Sequence, residues 1–263
     1  MTFQEPFRVA ILEDDPYAAN FMSMIIRRDW RTRLVCKHTS LENFAQEMEI
    51  CTPQILLVDL EHPFQKNWIK FFRKQIATLS KKPKVIALVT NIETISGDWI
   101  FSVPYTGLLF KQEINWALAW AIVIANQGNW VATPSVKRLV ENTQNAPKHL
   151  RFLKGDIEIP RMTVHEIEMA RIAILFNLSR RDMADELILS PYTVQDYVGL
   201  TYEKLGLQEM FLGELAPQEI FNDSPVILEH ISKAIRNNKT GKVSITDKET
   251  IAFHLLTKPQ EIY

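Results

Sequence analysis

The sequence predicts an α/β protein: a doubly wound, five-stranded parallel sheet, followed by an all-helical module with a helical C-terminal extension. Three observations carry this. Through residue 127, short runs of branched and aromatic residues alternate with helix-length segments. A polar stretch at 141–156, with Pro147 and Gly155, then reads as a linker. Beyond it, capping signatures and helical spacing replace the strand pattern. A chain of 263 residues accommodates about two domains. The boundaries are read as an α/β domain over 1–130, a linker over 131–160, a helical module over 161–208 and an extension over 209–263.

The predicted strands are Phe7–Leu12, Leu34–Cys36, Ile55–Val58, Lys84–Val89 and Gly107–Phe110, with helices at about 16–28, 41–50, 65–79, 92–101 and 112–127. Strict alternation of strand and helix leads to a parallel sheet with right-handed crossovers. Asp15 before Pro16 reads as a helix cap.

Composition narrows the function. With 46% hydrophobic and 23% charged residues the chain is an ordinary globular one, and its net charge of -1 gives no global attraction to nucleic acid or membrane. Only Cys36 and Cys51 are present, which fits a reducing, cytoplasmic setting. No secretory signal is read in MTFQEPFR, and the apolar run Trp116–Ala125 is too short to span a bilayer, so no membrane partner is expected. There is no GxxxxGK[ST] loop, GxGxxG turn, HExxH or paired CxxC. His38 and His62 are isolated and read as incidental.

The ends of the strands carry the chemistry. Ligands of such sheets gather outside the carboxyl ends of the strands. There stand Glu13, Asp14 and Asp15 after strand 1, Asp59 after strand 3, Thr90 after strand 4 and Lys111 after strand 5. Carboxylates brought together repel one another, and a hard cation such as Mg2+ relieves that repulsion. A hydroxyl and an ammonium beside them suit phosphoryl oxygens.

On "ILEDDP", "LLVDLEHP", "VIALVTN" and "GLLFKQ" the chain resembles the receiver domain of two-component response regulators, which has a flavodoxin-like fold, over roughly residues 7–127. The resemblance implies that Glu13, Asp14 and Asp59 hold Mg2+, that Asp59 accepts a phosphoryl group from a sensor histidine kinase or a small phosphodonor, and that Thr90 and Lys111 sense it. Asn91 and Leu108 depart from the family, Leu108 standing where an aromatic switch residue is common. A phosphohydrolase on a similar sheet has a DxD after its first strand, whereas this chain has Glu13 and Asp15 there.

The helical module opens with Thr163 and Glu166 as a capping box; Ser179 caps a second helix, and Ser190 with Pro191 a third. Three short helices with a tight turn before the last outline a helix-turn-helix. On Thr163, Glu166, "SRRDMA", "LSPYTV" and "KLGL" the segment 162–207 resembles the LuxR or NarL type of DNA-binding domain. The resemblance implies a recognition helix at 191–204, with Arg181, Thr193 and Gln195 facing duplex DNA. Arg180, Arg181 and Lys204 are the candidate phosphate contacts. Yet residues 161–208 hold five cationic against seven acidic side chains, a weak basis for DNA affinity.

Two more segments are informative. The helix after Lys111 is apolar all round, so Trp116, Trp120 and Val123 are expected to need cover, either from a partner such as a second copy in a homodimer or from the chain itself. In the extension, Ser224 with Pro225, and Thr246 with Glu249, are read as helix starts. Together these features point to a non-enzymatic, cytoplasmic, response-regulator-like transcription factor; the alternative is an adaptor whose helical module and extension bind protein.

Overall fold

The computed structural model describes residues 5–42, 44–61, 65–94, 105–141, 147–176, 179–222, 224–238 and 244–262; within them, the side chains of 65–69, 71, 94, 140, 141, 180, 186, 187, 237 and 238 are left aside. The chain forms two compact units: residues 1–157 joined by 258–263, and residues 158–257.

The first unit is built on β1 (Phe7–Leu12), β2 (Thr32–His38), β3 (Ile55–Asp59), β4 (Lys84–Val89) and β5 (Tyr105–Phe110). They pair in parallel in the order β2-β1-β3-β4-β5. β3 is buried over its whole length, as its continuous apolar run requires of a strand covered on both faces. The helices are α1 (Pro16–Arg28), α2 (Phe44–Cys51) and α3 (Gln65–Thr78). Asp15 caps α1, accepting the Tyr17 N–H at 2.8 Å. After β4 a short 3-10 turn spans Ile92–Thr94; the remainder of the helix expected at 92–101 lies outside the described residues.

Three expectations about the fold are corrected. The sheet does not stop at five strands: among the described residues it has eight. β6 (Trp130–Ala132) and β7 (Leu150–Lys154) extend it in parallel from within the segment read as a linker, and β8 (Gln260–Ile262) closes it antiparallel to β7. The second correction concerns the single helix expected over 112–127. It is divided into α4 (Lys111–Ile114), a 3-10 turn at Asn115–Ala117 and α5 (Leu118–Asn126). Asn115, with φ 27°, breaks it. A further helix, α6 (Lys137–Glu141), lies between β6 and β7.

The second unit is helical. Thr163 and Glu166 exchange the bonds of a capping box at 2.8 and 3.2 Å, starting α7 (Val164–Phe176). Ser179 and Asp182 do the same for α8 (Arg180–Leu187), and Ser190 accepts the Thr193 N–H at 3.0 Å to start α9 (Pro191–Lys204). Met183, Ala184 and Val194 are buried where α8 meets α9. The extension is ordered as α10 (Leu207–Leu212), α11 (Pro217–Phe221), α12 (Pro225–Asn238) and α13 (Ile245–Thr257). α13 packs on α7, where buried Arg171 donates to the Leu256 carbonyl at 2.8 Å. Its cap is Ser244 with Asp247 rather than Thr246 with Glu249: Asp247 N–H donates to Ser244 Oγ at 3.1 Å. Among the described residues no helix is long and apolar enough to cross a membrane.

Candidate functional site

Strand register assembles the site. Leu12 pairs with Val58, so one step later Glu13 and Asp59 stand side by side at the carboxyl edge of β1 and β3. Val89 pairs with Phe110, so one step later Thr90 and Lys111 do the same at β4 and β5. Carboxylate oxygens of Glu13, Asp14 and Asp59 lie within 4.8 Å of one another. Glu13 and Asp59 are buried, whereas Asp14 is half-buried.

Lys111 Nζ enters this cluster, 2.8 Å from Glu13 Oε2 and 3.2 Å from Asp59 Oδ2. Burial is the main force on Glu13 and, with the Asp59 charge, pushes its carboxyl up to about 7 against the pull of Lys111. For Lys111 burial acts downward, but the Asp59 and Glu13 carboxylates outweigh it and its pKa is raised. The ammonium therefore stays charged. One cation among three carboxylates leaves an excess of negative charge with only oxygen donors around it, which is the donor set a hard divalent cation prefers. On this chemistry the residues fit Mg2+.

The turn after Asp59 is ordered by the same side chain. Asp59 Oδ1 accepts the N–H of Glu61 at 3.1 Å, an Asx-type turn, and the Glu61 carboxylate accepts the Asn91 N–H across the mouth of the site. Asn91 in turn accepts the Glu93 N–H at 2.9 Å. This is why the apolar strand 55–58 ends on a charge followed by Glu61. Thr90 is exposed on the same rim, with no hydrogen bond to Asp59 or Lys111 among the described residues. Sequence reasoning missed Glu61; its position two residues after an aspartate was the available signal. His62 lies outside the described residues.

For the all-apolar helix, the structure shows cover by the chain itself, one of the two kinds expected. Trp120 and Val123 are 2% and 4% exposed, and Trp116 is half-buried against Phe21, ring to ring at 5.3 Å. The helix meets both α1 and the extra strand β6, so the chain supplies its own cover. Trp120 and Val123 are thus buried within the chain itself.

In the second unit the predicted DNA contacts are dispersed. Arg181 and Gln195 are exposed, and so is Thr193, whose hydroxyl lies 2.9 Å from Ser190 Oγ in the cap. The Arg180 side chain is not among those described. Lys204 is committed elsewhere, 2.5 Å from Glu166 Oε1. Glu166 is held down at about 2 by the hydrogen bond from Lys204 and by that from the Thr163 N–H. The open face of α9 instead shows Tyr192, Gln195, Asp196, Gly199, Leu200 and Glu203.

The fold and the site thus define a doubly wound α/β unit with a carboxylate–lysine cluster at its carboxyl edge, followed by a helix-turn-helix unit. No protein-family model matches the sequence, and no curated protein matches it. Among the solved structures similar to it are response regulators. One is the response regulator ChrA of a heme-sensing two-component system, 20% identical, with a TM-score of 0.42 over 77% of this chain and 92% of that one. Another is RcsB of Salmonella typhimurium, 18% identical, with a TM-score of 0.45 over 77% of this chain and 93% of that one. An RcsB–DNA complex is similar at 18% identity and a TM-score of 0.45, over 76% of this chain and 92% of that one.

Proposed function

We propose that this chain is a response-regulator-like transcription factor that takes a phosphoryl group on Asp59 and carries its output through the helix-turn-helix unit to duplex DNA. The observation that carries the reading is the placement of Lys111 between buried Glu13 and Asp59, with Asp14 completing three carboxylates at one sheet edge. Glu13, Asp14 and Asp59 would hold Mg2+, which when bound supplies positive charge for phosphoryl oxygens. An Asp59 oxygen attacks phosphorus as the bond to the donor's leaving group breaks, and the Lys111 ammonium balances charge on the transferred group. The Asx turn through Glu61 keeps the second Asp59 oxygen occupied and so orients the carboxylate.

Acetyl phosphate with Mg2+ followed by intact-mass measurement tests this. A metal-dependent phosphoryl adduct that is absent in Asp59→Asn is the expected result. No adduct, or an equal one in Asp59→Asn, overturns the reading.

A second reading for the output is favoured by the face of α9, which carries Tyr192, Asp196, Leu200 and Glu203 and no lysine or arginine other than Lys204, itself ion-paired with Glu166. Such a face suits a protein partner better than a phosphate backbone. The salt dependence of DNA binding separates the two.

A further inference from the structure

Lys111 is both a member of the carboxylate cluster and the first residue of α4. That helix is a single turn of four residues, ended by Asn115, whose N–H returns to the Lys111 carbonyl. Asn115 has φ 27°, a left-handed conformation that is unfavourable for a side-chain-bearing residue, and beyond it the chain changes to a 3-10 turn before α5 begins. α4 is therefore a short segment set off at its far end from α5 rather than the first turn of a long helix.

Further contacts of α4 lie at the exits of the added strands. Gly155, immediately after β7, donates its N–H to the Glu113 carbonyl at 2.7 Å. There is no slack in this contact: a Cβ at 155 would stand 2.4 Å from the Ile114 carbonyl oxygen and 2.9 Å from that of Glu113. The Glu113 carboxylate meanwhile accepts the N–H and hydroxyl of Ser135, at 2.9 and 2.5 Å, in the turn after β6. Three residues beyond Gly155, at Glu158, the chain passes into the helical unit, and it returns at 258 to form β8. β8 pairs with β7, Lys154 opposite Gln260, and Arg151 fixes the pair by donating to Glu261. Both chain connections of the helical unit are thus anchored on one strand pair, and the end of that pair rests on α4.

We infer that α4 is a lever that transmits the state of the Asp59 cluster, through Lys111, to the β7–β8 pair that anchors the helical unit. A change in the partners of Lys111 moves the first residue of α4. Because Gly155 touches the other end without free space, the Gly155 to Glu113 bond must shift with it. That phosphorylation of Asp59 is the natural trigger rests on the function proposed above; the mechanical link does not.

Hydrogen exchange of the full-length protein, read at the Gly155 amide and across residues 150–157, tests the link without any ligand. In Lys111→Met, exchange at Gly155 is expected to be about tenfold faster than in wild type, as for loss of one local hydrogen bond. Amides of Ala10 and Leu57 in the central strands should be unchanged. Asp59→Asn, which removes one partner of Lys111 and keeps its size, should move Gly155 in the same direction by less, and serves if Lys111→Met does not fold. Unchanged protection of Gly155 in the folded variants overturns the lever. In wild type, a phosphoryl adduct that forms from acetyl phosphate, with acetate leaving, and brings no change at Gly155 also overturns it. Failure to form any adduct instead sinks the phosphoacceptor reading, while the Lys111→Met comparison still decides the lever.

Discussion

Arg31 lies over Trp120: its guanidinium carbon is 4.0 Å from the ring centroid, while Asp29 accepts two of its N–H groups at 3.0 and 2.7 Å. A buried charge is tolerated in this place because it is paired and bidentately bonded. Trp120→Ala removes the ring beneath that pair, so the expected cost is about 3–5 kcal/mol of folding stability, in the range for a large aromatic core side chain. Urea unfolding measures it, and sedimentation should show no change in mass per particle. A variant that melted as wild type but dissociated from a dimer would restore the helix as a partner surface.

His38 gives a pH dependence whose sign follows from its surroundings. It is buried at the end of β2, edge-on to Phe44 at 5.6 Å, with Nδ1 2.6 Å from Glu47 Oε2 and no hydrogen-bond partner for Nε2 among the described residues. Burial lowers its pKa, and Glu47 opposes this only in part. A histidine depressed in the folded state favours folding fully above its unfolded value of about 6.5, and the contribution is lost as pH falls toward the folded value. The unfolding midpoint in urea should therefore drop on acidification below about pH 6.5. In His38→Gln, which keeps a donor for Glu47 and cannot titrate, that part of the slope should vanish. An identical slope in both proteins would remove His38 from the account.

Mg2+ should stabilise the folded protein, since the cluster forms only when β1 and β3 are paired. A ligand bound to the folded state alone contributes about 2.7 kcal/mol at a hundredfold excess over its Kd. Thermal melts in EDTA and in MgCl2 read the gain directly. Asp14→Asn, at a half-buried position of the cluster, should abolish most of it. An equal shift in that variant would mean that the metal binds elsewhere.

The cluster was legible because each of its members follows a recognisable strand, and the parallel order brings such ends together whatever the loops do. Thr90, Lys111 and the acidic pair needed no side-chain detail to be found. The added strands were not legible for a local reason and a distant one. Trp130–Ala132 is only three residues long, and Leu150–Lys154 carries charges at Arg151 and Lys154, so neither shows a clear alternation. β8 exists because of β7, whose Arg151 is 110 residues away from Glu261. The division of the helix after Lys111 escaped notice because a single Asn, although a weak helix former that tolerates positive φ, does not by itself end an otherwise apolar helical run. What covers Trp120 stayed open because cover by α1 and the Asp29–Arg31 turn is tertiary, invisible to a helical pattern that shows only that every side is apolar.

Lys204 sets the test for DNA binding. The neutralisation of each phosphate contributes about -0.9 to the slope of log affinity against log salt. With Lys204 held by Glu166, Arg180 and Arg181 remain as candidate contacts, so the expected slope is shallow, about -2. Glu166→Gln keeps an acceptor for the Thr163 N–H while releasing Lys204, and should steepen the slope by about one. Gln195→Lys on the exposed face of α9 should do the same if that face lies against the backbone, whereas Arg181→Ala should weaken all sequences alike. Fluorescence anisotropy with labelled duplexes across a salt series measures each. If neither the phosphorylated nor the unphosphorylated protein binds any duplex at low salt, and neither charge change creates binding, the output of the helix-turn-helix unit is a protein partner rather than DNA.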